Sequence, residues 1–206
     1  MNSDLNNGII LPIMESFHSI QGEGFFAGTP SYFLRIGGCD VGCDWCDVKE
    51  SWDANIHPLR KVDDIVKEIL DTGVSIVVVT GGEPLSWNME YLTDSLRHHG
   101  IKLHLETSGS YALTGYWDWI CLSPKKFHPP LDAIKGIVHE LKIIVRNRHD
   151  IKWAEQHSKS VNNSCRLYLQ PEWKNREKVT PLIIDYIMRN PIWKISIQKH
   201  KYLNMP

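Results

Sequence analysis

The sequence carries no excess of charge of either sign. Its 23 Lys and Arg stand against 24 Asp and Glu, a net charge of -1, so no electrostatic footprint points to nucleic acid or to an anionic membrane. Long hydrophobic runs are missing as well: the longest, such as Ile76 to Val79 and Ile143 to Val145, fall far short of the roughly 20 residues a bilayer span requires. No membrane segment is expected. Met1 to Leu11 contains the acidic Asp4, no Lys or Arg and no apolar core, so no secretory leader is expected and the compartment is read as the reducing cytoplasm. Low-complexity tracts, internal repeats and composition shifts are absent too, and nothing marks a domain boundary. Cysteine is sparse and odd in number, five in 206 residues, which argues against a disulfide framework. A chain of this length buries roughly 70% of its unfolded surface and needs no such staples. With 42% apolar and 23% charged residues it reads as one globular domain over 1–206.

Short β-branched runs alternate with amphipathic segments, which predicts βα units around a mainly parallel sheet. The first strand is expected at Ser31 to Ile36, followed by a helix from about Val62 to Leu70 closed by Gly73. Further strands are expected at Ser75 to Thr80, Ile101 to Thr107, Trp119 to Ser123, Glu140 to Val145, Arg166 to Gln170 and Lys194 to Gln198. Helices are expected at Met89 to His98, ended by Gly100, at His149 to His157, and from Thr180 to Arg189 with Pro181 kinking or starting it. Six or seven strands against three or four helices predict an α/β fold of the incomplete βα-barrel kind, since a full eightfold barrel runs to about 250 residues. In such folds chemistry sits at the carboxyl ends of the strands, where Cys39, Thr80, Thr107 and Ser123 fall.

Three of the five cysteines, Cys39, Cys43 and Cys46, lie within eight residues. A soft thiolate cluster suits zinc or an iron–sulfur centre. A four-iron cluster on three cysteines leaves one iron open to a small molecule, whereas structural zinc wants four protein ligands, for which His57 is the nearest further donor. Gly37, Gly38 and Gly42 interleave the cysteines, as a loop wrapping a bulky group requires.

The Cys39-x3-Cys43-x2-Cys46 loop, with Trp45 before its last cysteine and Gly81-Gly82-Glu83-Pro84 after the next strand, resembles the radical S-adenosylmethionine superfamily. Within it the chain is similar to the 7-carboxy-7-deazaguanine synthases over nearly its full length. The matching segments are Ser19 to Gly24, Arg35 to Cys39, Cys46 to Lys49, Thr80 to Pro84, Glu106 to Gly109, Ser123 to Lys125 and Gln198 to Lys201. The resemblance implies a [4Fe-4S] cluster on Cys39, Cys43 and Cys46, and S-adenosylmethionine held by Trp45, Asp47, Gly81, Gly82, Glu83, Ser108, Ser123, Pro124, Lys125 and Gln170. It implies as substrate 6-carboxy-5,6,7,8-tetrahydropterin, a flat ring bearing a carboxylate, held by an N-terminal segment and by a C-terminal tail that closes the site. The residues implied are Ile20, Gln21, Gly22, Glu23, Arg35, Thr80, Gln198, His200 and Pro206. Gln21 and Glu23 suit a pterin's amide and amino edge, and Arg35 can fork onto the carboxylate. Magnesium, an electron donor such as flavodoxin or ferredoxin, and a homodimer are implied as well. One departure stands out. Where family members often carry a magnesium-ligating threonine after Cys-Asp, this chain has Val48, so the protein ligand of any magnesium is left open. Two rivals are an activating enzyme of the same superfamily, acting on a partner protein, and a zinc-binding interaction module.

Overall fold

The computed structural model describes residues 3–206, so Met1 and Asn2, at the head of the expected leader-free stretch and of the expected domain, lie outside the described residues. Helix α1 (Ser3–Asn6) leads into β1 (Ile10–Ile20), β2 (Pro30–Ile36) and β3 (Leu59–Lys61). Strand β1 corrects the sequence reading, in which β2 came first. It carries Pro12, and its second half, Glu15 to Ser19, breaks the apolar alternation by which a strand is recognised. It pairs antiparallel with both β2 and β3, and sets Glu15 opposite Arg35.

The rest is built of βα units. Helix α2 (Val62–Asp71) buries Val62, Ile65, Val66 and Ile69, one stripe at helical spacing, and Gly73 follows it at φ +69°. Strand β4 (Ile76–Gly81) is a run of fully buried valines, as a central parallel strand covered on both faces should be. Then come α3 (Glu90–His98), β5 (Lys102–Thr107), β6 (Trp119–Leu122), α4 (Asp132–Lys135) and β7 (Glu140–Val145). The chain finishes with α5 (Arg148–Ser158), β8 (Arg166–Pro171), α6 (Arg176–Arg189), β9 (Trp193–Ile195) and α7 (Lys199–Leu203). Two expectations shift. Helix α6 begins at Arg176 and runs through Pro181 at the loss of one backbone hydrogen bond, instead of starting there. Strand β9 stops at Ile195, because Ser196 turns its hydroxyl inward to Gln170 Oε1 at 2.7 Å.

Among the described residues the strands form one sheet in the order β3-β1-β2-β4-β5-β6-β7-β8-β9, parallel from β2 onward and not closed on itself. This is the incomplete α/β barrel expected. Leu34, Val77, Val79, Leu103, Leu105 and Leu141 are fully buried in its core. Parallel strands end on one side, so the loops after β2, β4, β5 and β6 are brought together there. No helix among the described residues is long and apolar enough to cross a membrane.

Candidate active site

At that edge lies a cavity of about 510 Å³, lined by the three loop cysteines and by every residue for which the resemblance implied a cofactor or substrate contact except Pro124, which is buried beside Ser123 and Lys125 without reaching it.

The cysteine loop and the Gly81-Gly82-Glu83 turn are interlocked. Glu83 N–H donates to Gly38 O at 2.9 Å, and a Cβ on Gly82 would lie 2.2 Å from that same oxygen. Gly38 takes φ +101° and donates to Ser51 O, while Gly37 O accepts from Trp87 Nε1 at 2.9 Å. Only glycine permits these approaches. Val48 N–H donates to Cys46 Sγ at 3.4 Å. Burial, opposed at Cys43 by Lys125, pushes the Cys39 and Cys43 thiols up. Thiols so placed lose their protons readily only to a metal.

The donor set decides between the two metal readings. All three thiols face one space. Three thiolates suit a four-iron cluster with one iron left open, whereas structural zinc asks for a fourth protein ligand. His57 is engaged elsewhere, its Nε2 at 2.8 Å from Glu50 O and its ring against Gly37. Cys121 and Cys165 contact Glu140 and Arg166 O instead.

Glu83 is 1% exposed and its carboxylate is fully occupied: it accepts from Thr107 Oγ1 (2.6 Å), Ser108 N–H (2.8 Å), Ser108 Oγ (2.5 Å) and Leu85 N–H (3.1 Å). It therefore ties the end of β5 to the turn after β4 and leaves the backbone of that turn to meet a ligand. Lys125 Nζ donates to Ser123 O and Ser123 Oγ, both at 2.7 Å, and lies 5.3 Å from the Trp45 ring. Burial draws its pKa down.

The opposite wall is a chain of charges. Lys142, its side chain 5% exposed, contacts Glu23 at 2.5 Å and Glu106 at 3.8 Å. Glu106 accepts from Gln21 Nε2 (3.0 Å) and Thr80 Oγ1 (3.4 Å), and Glu23 accepts from Gln198 Nε2 (2.8 Å). Burial would raise the Glu23 carboxyl, but Lys142, Gln198 and His200 outweigh it and hold it at about 2. Lys142 is raised well above the usual lysine value, because Glu106 and Glu23 overcome the desolvation that opposes its charge. Arg35 sits 3.2 Å from Glu15, within ion-pair range but out of hydrogen-bond alignment, and 5.4 Å from the Phe17 ring. Its Nε is buried without a hydrogen bond. Helix α7 covers this wall: Lys199 N–H donates to Gly22 O at 3.0 Å, His200 packs on Gly22, and Ser19 Oγ reaches the Pro206 main-chain oxygen at 3.5 Å.

Residues 33–151 match the radical SAM superfamily. A 7-carboxy-7-deazaguanine synthase from Flavobacterium psychrophilum is 53% identical over 202 residues, 98% of this chain and 96% of that protein. Another, from Synechocystis sp., is 45% identical over 94% of this chain and 93% of its own. The chain belongs to the 7-carboxy-7-deazaguanine synthase family. The crystal structure of QueE from Escherichia coli superimposes with a TM-score of 0.83 at 29% identity, over 95% of this chain and 97% of that one. A radical SAM enzyme of this family carries a [4Fe-4S] cluster and S-adenosylmethionine, and the thiol set fits such a cluster. Magnesium does not fit in the same way. Val48 presents only methyl groups to the cavity, and Asp47 Oδ2 is taken by Lys201 Nζ and, at 3.4 Å, by Gln198 Nε2.

Three charged residues of the site went unassigned in the sequence: Glu106, Lys142 and Lys201. Glu106 lay in a quoted motif without a role. Lys142 had a signal of its own, a lone lysine inside the apolar run Leu141 to Val145, a place an ammonium occupies only when paired. Lys201 likewise closed a quoted motif, Gln198 to Lys201, and was given no role there.

Proposed function

We propose that this chain converts 6-carboxy-5,6,7,8-tetrahydropterin to 7-carboxy-7-deazaguanine with loss of ammonia, a carbon–nitrogen lyase step towards 7-deazapurines such as the queuosine precursor. The single observation that carries this reading is the run of charged groups Glu106, Lys142 and Glu23, continued by the Gln198 amide, in one cavity with three unpaired thiols.

Cys39, Cys43 and Cys46 would hold the cluster, and the Gly81 to Glu83 backbone with Ser108, Ser123, Lys125 and Gln170 the S-adenosylmethionine. When bound, the two supply a 5'-deoxyadenosyl radical able to take a hydrogen atom from the carbon that bears the substrate carboxylate. The protein's own residues bind and orient. Glu23, kept ionised, accepts from the pterin's amino and ring N–H donors, and Gln21 reads the adjacent amide. Arg35 directs a planar guanidinium at the carboxylate. His200, whose pKa burial draws below the usual histidine value, is neutral near pH 7 and offers one donor and one acceptor to the ring. Thr80, Gln198 and the Pro206 end of the tail complete the enclosure, and Ile20 and Gly22 shape it. Residues 1–206 act in this reading as one catalytic domain, its N-terminal segment binding substrate and its tail closing over it. The family also supports a homodimer, a flavodoxin- or ferredoxin-type electron donor and a cytoplasmic location.

The test is anaerobic reconstitution with iron and sulfide, then incubation with S-adenosylmethionine, reductant and the carboxytetrahydropterin. Deazaguanine product requiring every component is expected. S-adenosylmethionine cleavage without deazaguanine under any condition would withdraw the substrate and the roles given to Gln21, Glu23 and Arg35.

A further inference from the structure

We infer that the Lys201 ammonium stands in for the divalent cation that the family resemblance implies, so that this chain binds its carboxylated substrate without magnesium. The inference rests on the substrate reading above and adds to it a charge-supplying residue.

Magnesium asks for near-octahedral oxygen donors and gives up water reluctantly. At the place concerned, the side chain after Asp47 is Val48, which has no oxygen to give. The carboxylate that remains already carries a cation, since Lys201 Nζ and Gln198 Nε2 both donate to Asp47 Oδ2. That ammonium is built in rather than swinging free. Its side chain is 21% exposed, it lies 5.1 Å from the Trp173 ring, and it lines the same cavity as Asp47 and Val48. Helix α7, which bears it, is tied to the rest of the protein at its start by Lys199 N–H to Gly22 O and closed at its end by Met205 N–H to His200 O, each at 3.0 Å. A divalent ion arriving here would meet like charge and one carboxylate whose lone pairs are partly spent. The neighbouring carboxylates are already engaged, Glu23 by Lys142 and Gln198 and Glu106 by Lys142, Gln21 and Thr80. An ammonium supplies what a hydrated cation would supply, positive charge and several donors, and with one donor on Asp47 it keeps others for the substrate.

The test is binding of 6-carboxypterin, a stable oxidised relative of the substrate, to the reconstituted protein with S-adenosylmethionine, followed by pterin fluorescence in chelator and then in excess magnesium. Wild type is expected to bind equally in both. Lys201→Met should weaken binding about 10-fold or more in chelator, the loss of one charge-assisted contact, and Lys201→Arg should keep most of it. Val48→Thr combined with Lys201→Met should make binding magnesium-dependent. Wild-type binding that vanishes in chelator and returns with magnesium would overturn the inference and leave the substrate reading intact, as would Lys201→Met binding as tightly as wild type. No binding under either condition would overturn both.

Discussion

Removing an ammonium from water costs several kcal/mol, and Lys142 meets that cost with two carboxylates, Glu23 at 2.5 Å and Glu106 at 3.8 Å. The three form a unit. Lys142→Met would leave two partly buried carboxylates on one wall without their cation, so we expect a loss of about 3–5 kcal/mol in thermal or denaturant unfolding, part of it recovered in the double variant with Glu23→Gln. A single variant as stable as wild type would show the pair to be dispensable. Glu83 has a different kind of importance, since its carboxylate accepts from two backbone and two hydroxyl donors. An amide in its place would turn a donor towards one of those donors. Glu83→Gln should therefore weaken S-adenosylmethionine binding by about 1–3 kcal/mol with the fold retained, which equilibrium binding to the reconstituted protein measures. His200 contributes positioning alone in this scheme. His200→Ala should accordingly raise KM for the pterin more than it lowers kcat, and the reverse pattern would make it a participant in proton transfer.

At the scale of elements, the seven parallel strands were legible because buried β-branched runs such as Val77 to Val79 leave little choice, and positive-φ glycines such as Gly73 and Gly100 end the helices before β4 and β5. Strand β1 was not, because antiparallel pairing to β2 tolerates polar residues such as Ser16 and His18 that erase its period. Helix α7 was not either: it is a single short turn with no buried residue, fixed by tertiary bonds to Gly22 and Asp47 rather than by its own sequence. The residues named for the site nearly all reach one cavity, since most of the short motifs follow parallel strands that end on the same side of the sheet. What escaped was pairing across the sheet, the partner of Glu23 lying 119 residues away in Lys142. The α7 contact is open to a direct check. A Cβ at Gly22 would fall 2.1 Å from His200 Nδ1. Gly22→Ala should thus displace the tail and weaken pterin binding at least 10-fold, while S-adenosylmethionine cleavage without pterin continues.

For the whole molecule, acid is the condition under which stability is most exposed. His104 is 5% exposed against Phe26, and burial, partly opposed by Asp118, draws its pKa from 6.5 to about 4. A depressed pKa means that the unfolded chain takes up a proton which the folded chain refuses. The contribution is therefore complete above pH 6.5 and is lost as the pH falls towards 4, amounting to about 3 kcal/mol. His104→Gln should flatten the fall of Tm across that window, and an unchanged slope would place the titration elsewhere. Below it, protonation of Glu23 near pH 2 removes the Lys142 pair as well. The same fold that hides these groups sets three thiols and a wall of paired charges on one cavity, and the central claim is that the two halves work on one molecule. Carboxytetrahydropterin carrying deuterium on the carbon that bears the carboxylate tests this most directly. The conversion with loss of ammonia conserves every hydrogen, so the atom taken must be given back, and deuterium on the 5' carbon of the adenosyl group, in recovered S-adenosylmethionine and in any 5'-deoxyadenosine, is the predicted result. Unlabelled S-adenosylmethionine and 5'-deoxyadenosine alongside the product would contradict it.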